Sequence, residues 1–430
     1  MHKIACLFSF QESSWVSCQK IVFNLHKTYE AVPGHKILNF DYNHESVGTD
    51  LIKLVMEIER ERPDTIVILD HKPHPIYLLS ILFSRMTDWP KPRIIFHVFG
   101  DFTLYYKEWY ELSKLLKDFP VEFVVASDRQ KILIDQFLIP PMASVVCPFP
   151  VMPEDFYFDP DERSKQRKEW GVNDDDVVFT FTGRISRQKR AHLLLKSFHE
   201  ALERDPHLKA RLYIYGQPDD LGDNFLNQWE NENEYFRKIH RLYQALPSRT
   251  RERIHFMGNY PNKELRSVYA GADYFINLSV HNDEDFGMSV AEAQFCGLPS
   301  ILTDWGGLAS FEHHTLPEAT KFLKVTFGQH SKIIRKEAVV NAILEAAASA
   351  HSFPREKLVE LSRQKFSVQI AAEIIEKTLE RKALPFVSFS EFHTTIARRM
   401  MFRKPVYMTR QNKISPIYRK LYTSYVRNNS

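Results

Sequence analysis

Short apolar runs rich in β-branched residues alternate with stretches of helical periodicity along this chain, and the alternation occurs twice. In the first third, Lys3–Phe8, Lys36–Phe40, Thr65–Leu69, Arg93–Val98 and Glu122–Ala126 read as strands. Between the first two, Ile21, Val22, Leu25 and Tyr29 share one helical face, and Pro33-Gly34 ends that helix. Prolines from Pro148 to Pro160 mark a break, and the charged stretch Asp161–Trp170 follows as a predicted surface helix. The pattern then restarts with strands at Val177–Thr182, Ala210–Tyr215, Ile254–Met257, Tyr274–Leu278 and Pro299–Thr303. Helices are predicted at Ala191–Arg204, Asn262–Ala270, Ser289–Cys296 and Lys336–Arg381. Strands joined by crossover helices require a parallel sheet covered on both faces.

The expected architecture is therefore α/β, with two Rossmann-like parallel-sheet domains facing across a cleft. Ligands of such sheets bind beyond the C-terminal ends of the strands. A length of 430 residues suits two cores. The expected boundaries are 1–160 for the first domain, 161–365 for the second, and 366–430 for C-terminal helices and tail. A net charge of +3 gives no general basis for nucleic-acid binding. The longest apolar runs fall far short of a membrane span, and Met1–Phe10 reads as a buried strand, not a leader. Cys6, Cys18, Cys147 and Cys296 are scattered, which argues against a disulfide or zinc framework and for a reducing cytoplasm.

Three segments carry chemistry. In Glu284-Asp285-Phe286-Gly287-Met288-Ser289 a carboxylate ends a loop and a glycine turn leads into a helix bearing Glu292. A helix N-terminus presents N–H groups and partial positive charge to a diphosphate. A glycine there lets the backbone approach closely. Glu284 is suited to accept hydrogen bonds from sugar hydroxyls, and Glu292 from a ribose. Arg184 and Lys189 follow Gly183 at the end of a strand, where a guanidinium fork and an ammonium neutralise a pyrophosphate leaving group. Asp304-Trp305-Gly306-Gly307 forms a further glycine turn on the same sheet edge, and all three turns are expected to face one pocket.

Gly183-Arg184…Lys189, Phe256-Met257-Gly258…Glu264-Leu265…Tyr269, Glu284…Glu292 and Gly297-Leu298-Pro299…Gly306-Gly307 follow one another in order. This series resembles the C-terminal domain of retaining glycosyltransferases of family four, the group 1 glycosyltransferases with the GT-B fold. The first domain resembles it more loosely, through Pro33-Gly34-His35, Arg62-Pro63-Asp64, His97 and Ser127. The resemblance implies metal-independent, configuration-retaining transfer from a nucleotide diphosphate sugar, most commonly a UDP-sugar, to a glycan, lipid or small-molecule acceptor. It implies no cofactor beyond that donor. Arg184 and Lys189 would hold the diphosphate, Glu292 the ribose and Glu284 the sugar. Gly183 and the backbone from Phe286 through Gly287 and Met288 to Ser289 would line the donor, with Asn259 and Tyr260 beside the base. His97 matches a histidine at the family's reaction centre, and the resemblance implies that Arg184, Lys189 and His97 would form the catalytic set.

Other readings stay open on the sequence. The segment Phe10–Ser17 lacks the glycine-rich turn of many relatives, so no acceptor residue is assigned there. A sugar-nucleotide epimerase of the same fold and a non-catalytic sugar-nucleotide-binding protein are the alternatives. A nicotinamide dehydrogenase is disfavoured because no G-x-G-x-x-G follows either first strand. His97 also suits a buried structural role, and Asp101 a helix cap. His71 and His74 lack a third ligand, and Asp174-Asp175-Asp176 reads as a solvated turn. The insertion Gln217–Thr250 carries no readable role. Beyond Lys382 the tail is basic and aromatic, with Phe392, Ile396 and Met400 on one stripe beside Arg399 and Arg403. Packing back on the first domain is the expected role, with peripheral contact at the inner membrane face second and nucleic acid last.

Overall fold

Each half of the alternating pattern closes into its own sheet in the computed structural model, which describes residues 1–9, 16–42, 47–70, 72, 74–218, 234–392, 414 and 416–426. The first sheet contains β1 (His2–Phe8), β2 (His35–Asp41), β3 (Thr65–Ile68), β4 (Arg93–His97), β5 (Val121–Val125) and β6 (Val145–Val146). Its order is β2-β1-β3-β4-β5-β6, and every pairing is parallel. Ile4–Leu7, Ile66–Ile68 and Ile94–Phe96 are fully buried, as two-sided helical cover demands. The helix Val16–Ala31 contributes Leu25 and Tyr29 to that core.

The second sheet contains β7 (Val177–Thr182), β8 (Ala210–Tyr215), β9 (Ile254–Gly258), β10 (Tyr274–Asn277), β11 (Ser300–Thr303) and β12 (Thr320–Leu323). Its order is β12-β11-β10-β7-β8-β9, again all parallel. The direction of winding reverses between β7 and β10. In such a sheet the crevice beyond the C-terminal ends of the strands at this reversal is the usual ligand position. A short antiparallel hairpin, β13 (Val325–Phe327) and β14 (Lys332–Ile334), follows β12.

The described residues divide into two units: those of Met1–Pro150 with those of Phe366–Val406, and those of Val151–Lys365 with those of Tyr407–Ser430. The first boundary falls ten residues before the expected 160/161 because Phe156 packs on Tyr269 and Tyr157 lies under the Arg266 guanidinium at 4.2 Å. The segment expected to return whole to the first domain instead divides. Arg93 caps the helix Val368–Glu380 through the carbonyls of Thr378 and Leu379, and the Phe386 amide donates to Phe119 O, which tie this stretch to the first unit. The later helix Pro416–Tyr422 packs in the second unit, where its aromatic face finds Trp305 and Phe327. Ile396 and Met400, Phe10–Trp15 and residues 219–233 of the insertion lie outside the described residues.

Asp273, at the start of β10, joins the two strands of the crevice. Its Oδ2 accepts the Val178 amide at 2.8 Å, and its own amide donates to Val178 O at 2.7 Å. Arg163 and Arg167, from the helix Pro160–Glu169, reach the carboxylate at 2.6 and 3.0 Å, and Arg355 stands at 3.7 Å. Burial alone would raise the Asp273 carboxyl, but Arg163, Arg355 and Arg167 hold it below its ordinary range. Replacing Asp273 by Asn leaves buried guanidinium groups uncompensated, so the variant should lose about 3–5 kcal/mol of unfolding free energy in urea titrations. A loss below about 1 kcal/mol would show that the cluster is not a stability determinant.

Candidate functional site

Beyond β7 the chain turns at Gly183, which is exposed, adopts φ +139 and donates its amide to Tyr215 O at 2.9 Å. Arg184 follows, half-buried, and the Ile185 amide closes onto Gln217 O. The segment then runs to Lys189 and enters the helix Ala191–Arg204. Val280 donates to Gln188 O at 3.2 Å, so this turn and the loop leaving β10 are stitched together. Within that second loop, Asn277 Oδ1 accepts the Ser279 amide, Ser279 Oγ the His281 amide, and His281 O the Glu284 amide. The result is a contact between two residues 95 apart in sequence: Lys189 Nζ meets Glu284 Oε2 at 2.6 Å. Their side chains are only 18% and 7% exposed, so little solvent screens the pair.

His281, in the same loop, is buried. Burial first, then the charges of Lys189, Arg184 and Lys332, hold its imidazole well below the ordinary value, so the ring is neutral.

The helix Met288–Phe295 begins at Gly287, whose φ of +119 suits glycine; a Cβ there would also lie 2.8 Å from Leu308 Cδ2. No side chain caps this helix, so its first-turn N–H groups are presented from backbone alone. Phe286 is fully buried against Phe311, with ring centroids 5.1 Å apart, and only its backbone is available to a ligand. Met288 and Ser289 are half-buried. Glu292 is 4% exposed and accepts from Asn262 Nδ2 at 3.4 Å. Its charge bears on Tyr269, whose hydroxyl bonds Thr182 at the end of β7, so Glu292 also stands beside the crevice strand. Asn259 is exposed just past β9, and Tyr260 meets the Tyr215 ring edge-on at 5.1 Å.

The third turn supports the Glu284 loop from below. Gly307 donates its amide to Glu284 O at 2.6 Å, and a Cβ on it would fall 2.1 Å from Asp285 O. Trp305 Nε1 donates to His281 O at 2.7 Å. Trp305-Gly306-Gly307 therefore forms the bed on which the Glu284 loop lies. The sequence reading also passed over a buried cluster beneath that loop, made by Asn282, Lys332 and Tyr418. Tyr418, Leu421, Tyr422 and Tyr425 repeat at helical spacing, the signal by which an apolar face in the tail is found.

His97 belongs to the first unit. It ends β4, is 1% exposed, and its Nε2 lies 2.8 Å from the Tyr29 hydroxyl. Asp101 Oδ1 accepts the Thr103 amide at 2.8 Å, a local cap, and the His74 ring rests on Tyr105. His71 lies outside the described residues. Asp176 is buried and accepts the Asn173 amide at 2.8 Å, so the end of the acidic run closes a turn and is not solvated. Among the described residues no group of three or more His, Cys, Asp or Glu is placed to hold a metal ion, and no helix is long and apolar enough to cross a membrane. Burial lowers His97 to about 3, His192 to about 3 and His313 to about 4, against 6.5 in the unfolded chain. Each binds its proton in the unfolded chain first. Their contribution to stability is present above about pH 6.5 and is lost as pH falls toward 3. The melting temperature should therefore drop steadily from pH 7 to pH 4, and His97→Gln should flatten that slope; an unchanged slope would show that His97 is not buried neutral.

Residues 162–335 match the family described as glycosyl transferases group 1. Over 184 residues the chain is 32% identical to a D-inositol 3-phosphate glycosyltransferase of Geodermatophilus obscurus, a match covering 42% of this chain and 37% of that relative's length. The chain thus spans well under half of that curated relative. The fold is similar to that of Anabaena HepE in complex with UDP-glucose, with a TM-score of 0.62, 16% identity, and coverage of 88% of this chain and 99% of that one. It is also similar to sucrose-phosphate synthase from Thermosynechococcus elongatus, with a TM-score of 0.59, 14% identity, and coverage of 88% and 98%. The two doubly wound sheets are those of the GT-B fold. The motif series lies inside the matched segment, so residues 162–335 are similar to the group 1 glycosyltransferases.

Proposed function

We propose that this protein transfers a sugar, with retention of configuration and without a metal ion, from a nucleotide diphosphate sugar to a glycan, lipid or small-molecule acceptor. The observation that carries this reading is the Lys189–Glu284 ion pair at the crevice between β7 and β10, inside the family match. On donor binding, Lys189 turns to the diphosphate and Glu284 to the sugar hydroxyls, each exchanging one charged partner for another. Arg184 offers a planar fork to the same phosphates, and the uncapped N-terminus of the helix Met288–Phe295 offers N–H groups. Glu292 takes the ribose, and Asn259 and Tyr260 flank the base. The complex of HepE with UDP-glucose favours a UDP-sugar.

In the reaction the bond from the anomeric carbon to the phosphate oxygen breaks, and a bond to the acceptor oxygen forms on the same face. The acceptor proton passes to the departing phosphate oxygen. Arg184 and Lys189 stabilise the charge that develops on that diphosphate, the largest electrostatic demand of the step. His97 keeps the reaction-centre position that the resemblance gives it, as a neutral imidazole. This reading sets the reaction in the cytoplasm, and the basic tail as a peripheral contact with the inner membrane face rests on the sequence alone.

A panel of nucleotide sugars tests the donor assignment. At saturation a true donor raises the melting temperature, and the absence of any shift would end the reading. Arg184→Ala and Lys189→Ala should each lower the transfer rate by about 10²-fold or more. Wild-type turnover in both variants would remove these residues from the mechanism.

A further inference from the structure

The tail helix Pro416–Tyr422 reaches the donor loop through one hydroxyl. Tyr418 OH donates to Asn282 Oδ1 at 2.7 Å and accepts from Lys332 Nζ at 3.1 Å, while Lys332 also donates to that Oδ1 at 2.7 Å. Asn282, Lys332 and Tyr418 are 0%, 3% and 1% exposed. The Lys332 ammonium rests over the Trp305 ring at 4.7 Å. Three separate parts of the chain, the loop after β10, the hairpin strand β14 and the tail, thus meet in one buried polar cluster. Such a cluster costs stability unless every member is satisfied, so it fixes its members in one arrangement.

The tail holds the same loop at further points. Trp305, whose indole donates to His281 O, pairs by backbone with Val426 and meets Tyr425 edge-on at 5.5 Å. Arg419 donates to Gly328 O at 2.7 Å and the Ile414 amide to Gln329 O at 2.9 Å, anchoring the tail on the hairpin turn. Glu284 lies two residues beyond Asn282, with its carbonyl fixed by Gly307 next to Trp305.

We propose that the tail residues from Pro416 to Val426 form a strap that sets the Asn282–Gly287 loop, and that Tyr418 is a positioning residue for Glu284, required for recognition of the sugar half of the donor. This rests on the donor reading above for the role of Glu284, but not for the strap itself. Tyr418→Phe keeps the ring and removes the hydroxyl. Two measurements on the full chain separate the claims. Amide hydrogen exchange across residues 282–289 should quicken about tenfold or more, with distant strands such as β1 unchanged. The Kd of the nucleotide sugar that binds best in the panel should rise about tenfold, while that of its parent nucleoside diphosphate changes less than about threefold. In a Glu284→Gln background the substitution should add no further discrimination, since both act on one contact. Unchanged loop exchange, or equal weakening of both ligands, overturns the proposal. Faster loop exchange in a protein that binds no nucleotide sugar would discard the donor reading and uphold the strap.

Discussion

A single buried carboxylate fixes the second domain. Asp273 bonds Val178 in both directions, so β7 and β10 are locked together at their N-terminal ends. Those are the strands between which the winding reverses. Because their bases are fixed, the loops at their far ends leave from a defined separation. The guanidinium groups of Arg163 and Arg167 carry the helix Pro160–Glu169 to the same point, and Arg355 brings in the helix Arg355–Phe366. A charge removed from water is tolerated only when such partners are all present. The cluster thus couples the sheet and the flanking helices into one arrangement.

From that base the site is assembled by support more than by direct display. Glu284 has its carbonyl on the Gly307 amide, its own amide on His281 O, and its carboxylate on Lys189. His281 O in turn holds the Trp305 indole. Each contact removes a freedom that a ligand would otherwise have to restrict on binding, which is how a positioned side chain gains selectivity. Gly306 and Gly307 serve this end, since a side chain at Gly307 would occupy the Asp285 carbonyl.

Much of this was legible in the sequence because parallel strands buried on both faces write themselves as apolar runs. Val177–Thr182 and Ala210–Tyr215 were read to the residue. β12 was not, since its four residues include half-buried Lys321 and Phe322, and neither length nor alternation distinguishes it from a loop. The hairpin of β13 and β14 was missed for the same reason. At the site, the sequence pointed to Glu284 and Lys189 separately, each expected to hold a different part of a donor. Their contact across 95 residues depends on strand order, which a single sequence does not contain. Lys332 was overlooked because a lysine is normally taken as solvated, and its 3% exposure arises from a tail that packs from far along the chain.

The pairing of Lys189 with Glu284 lets the two side chains neutralise one another. On the proposed reading, a ligand that offers phosphate alone draws Lys189 away and strands a carboxylate that is nearly shut off from water. A sugar alone strands the ammonium in the same way. Only a molecule presenting both groups at the right separation compensates both losses, so the crevice acts as a coincidence detector. On that reading, nucleotide without sugar and sugar without nucleotide would both be disfavoured by the protein's own internal bond.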